Sequence, residues 1–82
     1  MNKIMIHTER EFKKLRAEAD MNLIKPGDTV WQNEKLAIVN EYDVQRNELF
    51  LQSDVEMWQS RIEDVEPTYR TLEKLISRAK GN

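Results

Sequence analysis

The side chains able to do chemistry are few and scattered. His7 is the single histidine, and no glycine flanks Ser53, Ser60 or Ser77. A hydrolytic triad needs a nucleophile on a sharp turn with an imidazole beside it. Nothing here supplies that spacing, so no catalytic residues are expected and the protein reads as a non-enzyme. Asp54 with Glu56, and Glu63 and Asp64 with Glu66, offer carboxylates suited to a hard cation. They lack the spacing of a calcium loop and read as a solvated acidic rim, with no metal and no cofactor. The loop "KPGDT" is not a phosphate-binding loop.

Two other sets carry more information. Trp31, Tyr42, Phe50 and Trp58 fall within β-rich runs. Aromatic side chains are large, amphipathic anchors, and a cation packs well over their faces. Trp31, Tyr42 and Trp58, with Asp43 and Glu56 beside them, are the candidate partner-binding set. Arg70, Lys74 and Arg78 recur at i, i+4, i+8 and form a basic stripe, a candidate contact for phosphates or an acidic partner. Arg10, Lys13 and Lys14 form a shorter one.

The elements that must hold these residues follow from periodicity. "TERE" reads as a capping box between Thr8 and Glu11. Phe12, Leu15 and Ala19 continue at helical spacing, so a helix is expected over 8–24. His7 and Phe12 have the spacing of a hydrophobic staple, and "KIMI" ahead of them reads as a short strand. Pro26-Gly27 ends the helix in a turn. Residues 26–67 then change period: "DTVWQ", "KLAIVNEY", "ELFLQ" and "VEMWQ" are strand-like runs. Turns are expected at Asn33-Glu34, at "DVQRN" and at Ser53-Asp54. In the second run Leu36, Ile38 and Tyr42 share one face and Ala37 and Val39 the other, so both faces are partly apolar. Val30 is expected inward, which turns Trp31 outward. The expected core is Val30, Leu36, Ile38, Leu49, Leu51, Met57 and Ile62. "RIEDVEP" suits one helical turn or a last short strand. Leu72, Leu75, Ile76 and Ala79 mark a second helix over 68–80, with Pro67 in its first turn and Gly81 just past its end.

"PGDTVW" resembles the first strand of the SH3-like small barrels, the group that includes KOW and Tudor-type modules. "MWQSRIEDVEP" is similar to their closing strand and turn. The resemblance spans residues 26–67. It implies a small antiparallel barrel of four to five strands, and with the helix read on each side of it the expected fold is α+β. The glycine found in the second strand of many KOW segments is absent from "NEKLAIVNEY".

Eighty-two residues without cysteine make one domain whose stability rests on a single small core, with self-association to a homodimer open to it. The apolar run near the N-terminus is only three residues, Ile4 to Ile6. No membrane contact and a cytoplasmic location are the expectation. Charge is uneven: residues 1–25 carry net +2, residues 26–67 net −7 and residues 68–82 net +3. An acidic middle steers toward a basic partner. The expectation is a protein-interaction module, of the kind used as a small bacterial or phage-encoded regulator or inhibitor, binding a basic protein surface. The alternative is a nucleic-acid-binding module of KOW or Tudor type, stacking bases on the aromatics and holding phosphates with the terminal helices.

Overall fold

The computed structural model describes residues 2–81, with side chains from residue 9 onward. The fold is α+β: helix α1 (Asn2–Glu18), strands β1 (Thr29–Gln32), β2 (Lys35–Asp43), β3 (Glu48–Gln52), β4 (Met57–Arg61) and β5 (Glu66–Pro67), and helix α2 (Tyr69–Ala79). Short 3-10 turns occupy Met21–Leu23 and Ile62–Asp64. The strands form one antiparallel sheet in the order β4-β3-β2-β1-β5. A small sheet with these helices fits an SH3-like arrangement in general. The sheet is not closed, and β4 and β5 remain its two edges.

α1 begins earlier and ends earlier than its sequence signals suggest. Residues 3–6 are helical rather than a strand, and Thr8 lies within the helix instead of capping it. The His7–Phe12 staple falls outside the described side chains. After Glu18 the chain leaves the helix. Asp20 takes an extended conformation and accepts the Asn22 N–H at 2.9 Å, which starts the 3-10 turn. At the other end, Thr68 caps α2 by accepting the Thr71 N–H, and Pro67 belongs to β5 rather than to the helix. "RIEDVEP" holds both a helical turn and a strand.

The turns explain the register. Lys25-Pro26-Gly27-Asp28 closes with the Asp28 N–H donating to the Lys25 carbonyl at 3.1 Å, and Gly27 sits at φ +96°. Pro then Gly at the two central positions is type II chemistry. Asn33 and Glu34 both have positive φ, +49° and +67°, which makes β1–β2 a two-residue type I′ hairpin. That loop sets Val30 opposite Ala37.

The core is Ile24, Val30, Ala37, Val39, Leu49, Leu51, Val65 and Leu75, all buried. Three residues expected there are not: Leu36, Ile38 and Met57 are exposed, and Ile62 is only partly buried. The cause is the face of β2. With Val30 inward, its partner Ala37 must also point inward, and Val39 follows two residues on. Leu36 and Ile38 are thereby turned out. A bulge between Val39 and Glu41 then resets the alternation. It brings Tyr42 to the inner face beside Leu49, so Tyr42 does not share a face with Leu36 and Ile38.

α2 covers the core with buried Thr71, Leu72 and Leu75. Its seat on the sheet is polar as well as apolar. The Thr29 and Thr68 hydroxyls meet at 2.7 Å, and the Thr29 N–H donates to the Thr71 hydroxyl at 3.0 Å. α1 packs against α2, and Arg16 Nε donates to Glu66 Oε2 at 3.0 Å.

Candidate interaction surface

The outer face of the sheet, turned away from the core, gathers most of the exposed large apolar side chains among the described residues. Trp31 is 44 % exposed, Leu36 50 %, Ile38 48 %, Phe50 38 % and Met57 72 %. Strand pairing puts them together: Trp31 is opposite Leu36, while Ile38, Gln52 and Met57 form one row across β2, β3 and β4. Phe50 lies in the next row between Glu41 and Gln59. Asn40, Glu41, Phe50, Met57 and Gln59 line a shallow depression there. Exposed large apolar side chains gathered on one face of a soluble protein often mark an interaction surface.

The amides of this face are engaged with neighbouring strands. Asn40 Nδ2 donates to Gln52 Oε1 at 3.0 Å, and Gln59 Nε2 donates to Glu48 Oε1 at 2.6 Å. Glu41 lies beside Phe50 within this face, and Asp43, Arg46, Glu48 and Arg61 gather at one end of it. Lys35 Nζ and Glu56 Oε2 pair at 2.7 Å on the other side of the sheet, next to Trp58.

The five residues singled out from sequence for partner binding divide between two faces. Trp31 is on the outer face. Trp58 is on the inner face, where its Nε1–H donates to Gln32 Oε1 at 2.6 Å; Gln32 Nε2 in turn donates to the Ser60 hydroxyl at 2.5 Å. Gln32 thus ties β1 to β4 across the concave side. Lys35 Nζ stands 5.3 Å from the Trp58 ring centroid. Tyr42, half-buried on the inner side, donates its hydroxyl to Asn22 Oδ1 at 2.9 Å. Burial pushes its phenol pKa up, and Asp20 adds to this. Asp43 accepts the Arg46 N–H at 3.3 Å and shapes the β2–β3 turn. Glu56 is engaged with Lys35.

Of the basic stripe, Arg70 and Lys74 are exposed on α2. Arg78 is committed internally. Its Nη1 and Nη2 donate to the two carboxylate oxygens of Asp28, which is 2 % exposed, and Nη1 also reaches the Leu23 carbonyl at 3.1 Å. The stripe is therefore not three equivalent free cations. The outer-face residues Leu36, Ile38 and Met57 escape a reading that places the largest apolar groups inward. The two-residue turn at Asn33-Glu34 holds the missing signal, because it makes Ala37 and Val39 follow Val30.

No group of three or more His, Asp or Glu side chains placed to hold a metal occurs among the described residues, and no described helix is long and apolar enough to cross a membrane. Comparison with protein-family models, curated proteins and solved structures finds no match to this chain.

Proposed function

We propose that this protein is a non-enzymatic protein-interaction module that docks its partner on the outer face of the sheet. The supporting observation is the convergence of Trp31, Leu36, Ile38, Phe50 and Met57 on one face, where they remain exposed. Aromatic and long apolar groups at the centre of a contact supply most of its energy. The charges around it are mixed, Glu41, Asp43 and Glu48 against Arg46 and Arg61, but residues 26–67 as a whole carry net −7, which speeds approach to a basic partner and rejects acidic ones. The partner on this reading is a protein with a basic rim around an apolar patch, which the module would regulate or inhibit. The internal use of Arg78 weakens the nucleic-acid alternative, since it leaves Arg70 and Lys74 as the exposed cations of the stripe.

Capture from cell lysate tests the reading, with wild type compared against Trp31→Ser/Ile38→Ser and Arg70→Glu/Lys74→Glu. The double change on the sheet should abolish capture of protein, and the charge reversal on α2 should leave it intact. Recovery that follows Arg70 and Lys74, and that nuclease removes, would favour nucleic-acid binding instead. All three chains must melt alike for the comparison to count.

A further inference from the structure

The two edges of the sheet are not equivalent. β5 closes one side with two residues, one of them Pro67, and α2 follows directly. A strand that short, with no N–H at Pro67, offers little to pair with. β4 forms the other edge. It has five residues, no proline and no lysine, and its pairing with β3 runs without a bulge.

Two hydrogen bonds at the ends of the β3–β4 ladder determine which peptide groups of β4 face outward. The Ser53 N–H donates to the Glu56 carbonyl at 2.8 Å, and the Ile62 N–H donates to the Asn47 carbonyl at 2.9 Å. Both pairs are of the hydrogen-bonded kind, and the two kinds alternate along an antiparallel ladder. Counting inward from either end gives the same answer. Trp58 and Ser60 bond to β3, while Met57, Gln59 and Arg61 turn their N–H and C=O groups away from it. The Arg61 carbonyl takes the Ser60 hydroxyl at 3.1 Å. Gln59 is the centre of the free edge.

The geometry points to a second copy of this chain as the occupant: β4 pairs antiparallel with β4 of the other copy about a two-fold axis at Gln59. The strand complements itself in that register. Gln59 faces its own counterpart, Met57 of one copy faces Arg61 of the other, and Trp58 faces Ser60. Arg61 is the one charge in the strand, so no like charges are opposed. The short, proline-bearing β5 edge cannot serve as the complement. That rules out a head-to-tail ring and leaves the isologous pair. Gln32, Glu48, Gln59, Ser60, Arg61 and Asp64 line an open depression at this end of the strand, with Gln32 reaching Ser60 and the Asp64 carbonyl from the inner side. The result is a ten-strand sheet on which two outer faces lie side by side, both still open. An interface of five residues per copy is at the small end of the range, so micromolar association is expected. The inference does not depend on the partner proposed above.

The absence of cysteine makes a clean test available. Gln59→Cys places a single thiol at the axis, where a hydrogen-bonded pair has Cα atoms about 5.5 Å apart, within disulfide range. Under mild oxidation this variant should form a covalent dimer. Val55→Cys, at the exposed hairpin tip, should not. In sedimentation equilibrium the wild type should move from one chain's mass to two between about 1 and 100 µM. Gln59→Pro removes the central outward N–H without touching the β3 ladder and should stay monomeric. A wild type that is monomeric through about 100 µM, or a Val55→Cys chain that cross-links as fast as Gln59→Cys, overturns the proposal. The cysteine comparison decides whether or not Gln59→Pro folds.

Discussion

Arg78, in the last turn of α2, clamps both carboxylate oxygens of Asp28 at 2.6 and 3.0 Å. Asp28 is the last residue of the Pro-Gly turn, and its carboxylate also accepts the Lys25 N–H at 2.8 Å. Its backbone carbonyl accepts the Val39 N–H at 2.8 Å. One buried acid thus joins the turn, β2 and the C-terminal helix, fifty residues apart in sequence.

Removing one partner strands the other. Arg78→Met should lower stability by about 3–5 kcal/mol, since it leaves a buried carboxylate without its counter-charge. Urea unfolding followed by tryptophan fluorescence measures this. A loss below about 1 kcal/mol would put the pair among ordinary surface ion pairs.

The same pair predicts acid sensitivity. Burial alone would raise the Asp28 pKa, but the Arg78 guanidinium and the Lys25 amide outweigh it, and the carboxyl titrates below its ordinary 3.8. Between the lowered folded value and the unfolded one, the unfolded chain binds more protons, so stability rises with pH there. The contribution is complete above the unfolded value and is lost as pH falls through the folded one. Urea midpoints of wild type should therefore drop below about pH 4. Asp28→Asn should start lower at neutral pH and fall less steeply in acid. Equal slopes for the two chains would assign the acid transition to other carboxylates.

The face of β2 makes a direct comparison. Ile38 is 48 % exposed and Leu51 is fully buried. Ile38→Ala should cost less than about 1 kcal/mol, and Leu51→Ala about 2–5 kcal/mol. Thermal melts of the two variants read this out. A large loss at Ile38 would mean that its face is covered in solution.

Glu34 occupies the second position of the type I′ turn at φ +67°, where a side chain is strained and glycine is not. Glu34→Gly should stabilise the protein by about 1 kcal/mol, seen as a higher urea midpoint with an unchanged slope.

Much of this architecture is legible along the chain because it depends on local chemistry. Pro26-Gly27 and the segment 43–47 are turns because their residues suit those backbone angles, and at Asn33-Glu34 the asparagine suits its positive φ while Glu34 is held in one. Gly81, at φ +83°, ends α2 as a residue without a Cβ can. The spacing of Leu72 and Leu75 marks a buried helical face. The acidic middle and basic ends are likewise facts of composition. What the tertiary structure alone decided is which of two apolar faces of β2 is covered, and which charges are free. A strand's side chains alternate with period two, so periodicity offers both faces equally, and Leu36 and Ile38 are larger than Ala37 and Val39. The choice falls to the register of the hairpin with Val30 and to the bulge that returns Tyr42 inward. Arg78 belongs to an exposed-looking stripe until the fold brings Asp28 beneath it. Such a pairing depends on distance in space, which spacing along α2 does not encode.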